Sequence, residues 1–393
     1  MIPGRWSVLA LLFAVRATMG FQYQSVAAVA PLIARDMGLT LADIGVLFGL
    51  YLAPGMALAY PGGSIGRRFG DRPVVLTGLA LMVAGGAIMA FVPSWAGQIV
   101  GRLVAGIGGV LLNVLMSKMV TDWFAGREIA TAMAVFVNSW PVGIAAALVV
   151  LPPIAEMQGL KAAYFFSALL VLLGLVLLAQ RYTTPPRPSE PASEETLVPE
   201  RAALKAAIVA GSIWGLYNSG LAMVFAFSPS LLVEHGWPIT SAGSAVSLVL
   251  WLAIVSVPLG GFLADRLRYH AIFIIAGCLA AGVLLLLASR EPDLVILYAV
   301  LGLVAGLPAG PIMSLPSRVL RPGSRAIGMG AFFSVFYAAM VVGPALGGWL
   351  AAQRGTAAAA IDLGALLLFA CVPGIWLFHR LTMAQRPVLP LEA

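Results

Sequence analysis

Long apolar runs alternate along the chain with short polar punctuation. Twelve of them are long enough to cross the ~30 Å hydrocarbon of a bilayer as helices, for which about 20 mostly apolar residues suffice. In the first half they cover 6–33, 42–65, 73–92, 95–121, 129–153 and 160–180. In the second half they cover 204–232, 241–264, 270–289, 293–316, 327–351 and 358–379. Each break carries charges, prolines or glycines, as in Arg67-Arg68-Phe69-Gly70-Asp71-Arg72-Pro73. The runs are uniformly apolar and lack the alternation over about 10 residues that marks membrane strands. The pattern predicts an all-α membrane protein of twelve transmembrane helices. The first run continues past Arg16 to Ile33, with no small-x-small cleavage signal before Arg16, so it reads as a retained span rather than a signal peptide.

Composition agrees: 61% of the residues are apolar, only 10% are charged, and the mean hydropathy is +0.99. A water-soluble globule must present a wet, polar outside, and this chain has too little polar surface to make one. That excludes a soluble enzyme, a nucleic-acid binder and a disordered scaffold. The net charge of +7 matters through its distribution. With the N-terminus in the cytoplasm, sixteen Lys and Arg fall in inside loops and four in outside loops, the bias expected of cytoplasmic loops. Both termini are then cytoplasmic. The remaining three cations, Arg16, Arg102 and Lys118, fall within spans. Cys278 and Cys371 lie far apart in apolar runs and make no disulfide framework. The use of 20 Arg against three Lys suggests a GC-rich bacterial source, hence the bacterial inner membrane, with the monomer as the expected functional unit.

The longest polar stretch, 181–203, holds Pro185, Pro186, Pro188 and Pro191 with Glu190, Glu194, Glu195 and Glu200, and reads as a cytoplasmic linker. It divides a first bundle, 1–180, from a second, 204–393, that ends in a short cytoplasmic tail. The two match at a constant offset of 198 positions: Pro31 with Pro229, Asp36 with Glu234, Gly38 with Gly236, Gly45 with Gly243, Gly62-Gly63 with Gly260-Gly261, Arg68 with Arg266, and Arg127 with Arg325. Such a repeat predicts two pseudo-symmetric six-helix bundles, related by an axis along the membrane normal, with a substrate path between them.

Pro258-Leu259-Gly260-Gly261-Phe262-Leu263-Ala264-Asp265-Arg266 resembles the loop 8–9 copy of the G-x-L-A-D-R motif of the major facilitator superfamily. The first-half copy is Gly62-Gly63-Ser64-Ile65-Gly66-Arg67-Arg68-Phe69-Gly70-Asp71-Arg72. Arg102-x3-Gly106-x-Gly108-Gly109 resembles the family's R-x3-G-x-G motif, and Asp122-Trp123-Phe124 a common fourth-to-fifth loop. Gly343-Pro344-Ala345-Leu346-Gly347-Gly348 resembles the G-P-x-x-G-G motif, displaced from the fifth span to the eleventh. The resemblance implies a transporter working by alternating access, with Arg67, Arg68, Asp71, Asp265 and Arg266 gating the cytoplasmic side and Arg102 in a structural and coupling motif. The first-half loop departs from the pattern: Arg67 stands where the family has Asp, and Asp71 where it has a basic residue.

Several chemistries are missing. Lys118, Lys161 and Lys205 lack the G-x4-G-K-[ST] context of a phosphate-binding loop, so no ATP hydrolysis is encoded. His235, His270 and His379 lack metal-ligand spacing. Gly62-x-Ser64-x-Gly66 matches a nucleophile-elbow pattern without its strand–turn–helix context. The chain is therefore expected to be no enzyme and to carry no cofactor and no metal.

Ionisable residues within a span tend to face a cavity or a partner. Arg16 lies 11 residues past Arg5, about 16 Å along a helix and so near mid-membrane, with Gly20 and Tyr23 on its face. Arg102 shares a stripe with Gly106, Gly109 and Asn113, the last expected to serve gating or coupling with it, while Lys118 sits close enough to Asp122 to snorkel to the cytoplasm. All sixteen acids fall in loops or at span ends except Asp362, near the start of the twelfth span. Arg16 thus lacks an evident protein counter-ion, and a carboxylate or other oxyanion can supply one, since a guanidinium grips it with two parallel bonds. The polar and aromatic groups expected to complete the site are Asn138, Ser139 and Trp140 before Pro141, Trp214, Tyr217 and Asn218 in the seventh span, and Phe333 and Tyr337 in the eleventh. Trp214 is the repeat partner of Arg16.

The reading is a secondary transporter moving a small organic or inorganic anion, such as a carboxylate, by exchange or symport. Within the superfamily it resembles the cyanate-permease-like, nitrate/nitrite and oxalate or monocarboxylate porters. An exporter of hydrophobic or drug-like compounds is the alternative that Gly343–Gly348 supports. A non-transporting sensor on a transporter fold is a third. The partners expected are the anion and the lipid bilayer, with no nucleic acid. Prolines 308, 311, 316 and 344 are expected to bend the tenth and eleventh spans.

Overall fold

The computed structural model describes residues 4–124, 128–184, 199–320 and 325–383, and leaves undescribed the side chains of 60–64, 67, 129–131, 134, 325 and 326. The linker prolines, Arg127, and the side chains of Ser64 and Arg67 therefore lie outside the described residues. Among those described there are fifteen α-helices and no strand. The first half holds α1 (Arg5–Ala28), α2 (Ala30–Met37), α3 (Leu41–Leu50), α4 (Gly55–Phe69), α5 (Asp71–Phe91), α6 (Trp95–Phe124), α7 (Ile129–Val137) and α8 (Ser139–Arg181). The second holds α9 (Arg201–Glu234), α10 (Ile239–Leu267), α11 (His270–Arg290), α12 (Val295–Ala305), α13 (Ala309–Met313), α14 (Arg325–Arg354) and α15 (Ala358–Met383), with a 3-10 turn at Pro316–Arg318.

Ten stretches are long and apolar enough to cross a membrane. One of them, Val135–Arg181, is two crossings folded at Gly159, whose φ of +82° suits glycine. The α1–α2 pair, whose Arg16, Gln22 and Gln24 dilute its hydropathy, is the twelfth crossing. The expected spans are all present, but four are broken internally. Prolines 31, 54, 141 and 308 lie in or just after the breaks at Val29, Tyr51–Pro54, Asn138 and Gly306–Pro308. Proline has no N–H to continue the ladder and crowds the preceding turn. The eleventh span behaves otherwise: α14 runs on through Pro344 as one helix.

The halves meet where α3 packs on α14, α10 on α8 and α1 on α9. Glycines set the closeness of these contacts. A Cβ at Gly45 would fall 2.2 Å from the Pro344 carbonyl oxygen, and one at Gly243 would fall 2.2 Å from that of Leu148. Gly45 and Gly243 are repeat partners, so each half contributes an equivalent contact. Gly348 is pressed equally against Leu41, and Gln24 Nε2 donates to the Phe225 carbonyl at 2.7 Å. All of these contacts lie toward the face opposite the two termini, and small residues are what allow helix backbones to approach so closely. That far face is also tied by capping and ion pairs. Thr40 and Asp43 form a capping box at α3, the Glu234 carboxylate accepts from Ala357 N–H and Thr356 Oγ1, and Asp362 accepts from Arg290 and Ser289.

Replacing Gly45 by Leu should hold the far face open. Spin labels on the far ends of α3 and α14 should then report longer distances than in the parent protein, and unchanged distances would contradict the assignment of this contact as the closure.

Candidate functional site

Arg16 reaches from α1 to the break between α7 and α8. Pro141 cannot donate to the carbonyl of Val137, which an unbroken helix would pair with it. Arg16 Nη1 takes that carbonyl at 3.1 Å, together with the Phe136 carbonyl at 3.2 Å and Ser139 Oγ at 3.1 Å. Nε and Nη2 both donate to Asn113 Oδ1, at 3.1 and 3.0 Å, and the guanidinium lies 4.8 Å from the Phe136 ring centroid. Four neutral acceptors thus surround the guanidinium. Among the described residues, however, no carboxylate forms an ion pair with it. Dipoles solvate the charge without cancelling it, and one Nη2–H is left over.

Asn113 links the halves. Its Oδ1 holds Arg16, and its Nδ2 donates to Tyr337 Oη on α14 at 3.4 Å. Tyr337 is buried, its ring lying where a Cβ on Gly55 would be. From Tyr337 the aromatic contact continues to Phe336 at 5.0 Å, then to Trp214 at 6.2 Å and Tyr217 at 5.6 Å, with Phe333 beside Phe336 at 6.3 Å. The structure thus brings together Arg16, Asn113, Tyr337, Trp214 and Phe333, and adds Phe136 and Phe336, which the sequence reading passed over. Phe336 was findable, because it is the repeat partner of Asn138. Asn138 forms the helix break itself, and Trp140 is half-buried against Tyr23 at 5.1 Å.

Three expected site residues do other things. Tyr23 is buried between Phe48, Tyr51 and Trp140, so it packs rather than lining the space around Arg16. The hydroxyl of Tyr217 donates to the Ala305 carbonyl, at the break in the tenth span. Asn218 Nδ2 donates within its own helix, to the Trp214 carbonyl at 2.8 Å.

Arg102 is wholly buried, and its Nε, Nη1 and Nη2 donate to the carbonyls of Leu47, Gln22 and Tyr23 at 2.9, 3.0 and 2.7 Å. Leu47 would ordinarily pair with the N–H of Tyr51, but the break after α3 turns that N–H to Gly49. The Tyr51 ring lies 5.0 Å from the guanidinium. Arg102 therefore acts as a clamp across α1, α3 and α6.

At the termini's face, Lys118 reaches Asp71 at 2.6 Å and Asp122 at 2.9 Å, away from Arg16. Asp71 thus ties the start of α5 to the end of α6, despite the exchanged acid and base of its loop. In the second half, Asp265 meets His270 at 2.8 Å. Arg68 and Arg266 lie over Phe69 and Phe262, at 5.3 and 6.0 Å, on their own helices.

The family model described as Major Facilitator Superfamily matches residues 12–231 and 216–393. An MFS-type transporter of Mycobacterium tuberculosis (strain H37Rv) is 26% identical over 410 residues, covering 100% of this chain and 86% of that one. The hexuronate transporter of Bacillus subtilis is 23% identical over 373 residues, 87% of each chain. Multidrug resistance protein MdtL of Klebsiella pneumoniae is 27% identical over 357 residues, 87% of this chain and 86% of the relative. Among solved structures, a bacterial homolog of the human lysosomal transporter Spinster, in an inward-facing and unoccupied conformation, superposes with a TM-score of 0.73 at 16% identity, over 98% of this chain and 97% of that one.

Replacing Arg102 by Met should orphan the Leu47 carbonyl and cost about 2–4 kcal/mol of stability. The measurement is the thermal unfolding midpoint in detergent. Arg102→Lys should recover only part of the loss, because an ammonium cannot serve three carbonyls with the fixed geometry of the guanidinium fork.

Proposed function

The chain belongs to the major facilitator superfamily, and from that premise we propose that it moves a small anion, with Arg16 as the group that receives it. It is a multi-pass membrane transporter and not an enzyme. The observation supporting an anionic substrate is the Arg16 guanidinium, deep in the protein and held entirely by neutral acceptors. A buried charge without a counter-charge is expensive to keep, and a visiting carboxylate relieves that cost with charge-assisted bonds. Asn113 and Tyr337 stand beside it as further donors. The relative that carries hexuronate favours the same reading.

In this reading the linker 181–203 joins the two bundles, and the face bearing the termini is cytoplasmic. The far-side glycine contacts then close the route to the outside while the site opens inward. Asp71, Asp265, Arg67, Arg68 and Arg266 gate the cytoplasmic side. Among the described residues the acids stand at or near the ends of the crossings, and Asp362, near the start of α15, is paired with Arg290. That arrangement favours anion exchange, or symport in which the substrate helps to carry a proton, over a dedicated carboxylate relay.

The second reading, export of hydrophobic or drug-like compounds, draws on the similarity to MdtL and on the aromatic wall around Trp214. Competition separates the two, since small carboxylates should block transport under the first reading and lipophilic cations under the second.

Arg16→Gln keeps a neutral donor for the Val137 carbonyl while deleting the charge. It should weaken anion binding by roughly 10–100-fold, the worth of one or two charge-assisted hydrogen bonds. Arg16→Lys should recover part of the affinity. Binding is read as an anion-induced rise in melting temperature, because a ligand selective for the folded state stabilises it. An unaltered rise in Arg16→Gln would discard the anion site.

A further inference from the structure

We infer that the substrate is a monoanion with a flat, aromatic or otherwise apolar body, its charge on the wall of the first half and its body on the wall of the second. This rests on the Arg16 reading above and extends it to the rest of the ligand. The internal repeat is the starting point. Positions 16, 138 and 139 of the first half correspond, at the constant offset, to 214, 336 and 337 of the second. The first set is Arg, Asn and Ser, and the second is Trp, Phe and Tyr. The correspondence is spatial as well. Arg16 meets the fifth span at Phe136, Val137 and Ser139, and Trp214 meets the eleventh at Phe336, 6.2 Å between ring centroids. One corner of the architecture was therefore built twice, once as a cation with its polar cradle and once as stacked rings.

The two corners are joined through Asn113 and Tyr337, so one molecule can touch both. The second-half corner presents more ring surface than polar surface, its polar groups being the Tyr337 hydroxyl, the Trp214 indole N–H, the Tyr217 hydroxyl and the Asn218 amide. The Tyr217 hydroxyl is engaged with Ala305, and the Asn218 amide N–H with the Trp214 carbonyl. The described Arg and Lys residues of the second half stand at or near the ends of helices, so none faces Arg16 from mid-span. One cation calls for one negative charge. Half-buried Trp214, Phe333 and Phe336 offer ring faces and edges to a flat body, the arrangement in which aromatic pairs gain most. A polyhydroxylated acid would exchange many hydrogen bonds to water there for few to the protein, and such losses weigh heavily in a closed site.

The test uses the full chain in lipid nanodiscs and calorimetric titration with four probes: phenylacetate, acetate, glucuronate and phenylacetamide. Phenylacetate is expected to bind about 30-fold more tightly than acetate or glucuronate, as burial of one ring predicts, and more tightly than phenylacetamide. Phe336→Leu should reduce the ratio of phenylacetate to acetate affinity several-fold. Acetate or glucuronate binding as tightly as phenylacetate, or a ratio unmoved by Phe336→Leu, would overturn the apolar-body inference and leave the anion site standing. Phenylacetamide binding as tightly as phenylacetate, or no binding by any of the three anions, would overturn the anion reading itself and this inference with it.

Discussion

A helix broken inside a bilayer leaves carbonyls without their helical donors, and each is best served by another donor within the protein. Three such carbonyls organise this molecule. Val137, deprived of a partner by Pro141, is held by Arg16. Leu47, at the end of α3, is held by Arg102, and Ala305, before the break in the tenth span, by Tyr217. Each donor comes from a neighbouring crossing, so each break also becomes a point at which helices are fastened together. Bends needed to shape a path are thereby made compatible with a dry interior.

In the proposed role, Arg16 has two duties. The Val137 and Phe136 carbonyls, Ser139 and Asn113 fix the guanidinium in position before any ligand arrives, which lowers the ordering cost of binding. Because all four acceptors are neutral, the fixing leaves the charge available. Arg102 illustrates the contrast. Each of its three nitrogens is engaged with backbone in a wholly closed space, so it clamps α1, α3 and α6 and presents nothing to a passing molecule.

The repeat accounts for both the symmetry and the asymmetry. Where the two halves touch, the same residue type is kept on both sides: Gly45 and Gly243 each admit an opposing backbone carbonyl. Around the site the partners diverge, Arg16 against Trp214 and Asn138 against Phe336. Contacts that both halves must make in the same way constrain the pair. The proposed ligand, with its unlike ends, does not.

The twelve crossings, the repeat and the membrane-embedded cations were legible in the sequence, because hydropathy, spacing and charge are local properties that one chain displays without folding. The side-chain partners were not. Tyr23 and Tyr217 had the residue type and spacing of site residues, yet Tyr23 packs among rings and Tyr217 caps a broken helix. Lys118 was expected to snorkel to the cytoplasm near Asp122 and does meet it, but its second partner, Asp71 at the start of α5, was not readable from spacing. A prolyl break frees a carbonyl whose place is readable in the sequence, but which neighbouring span supplies the donor depends on how the helices pack. Only the tertiary structure could decide whether a polar residue faced a carbonyl, a ring or an open path.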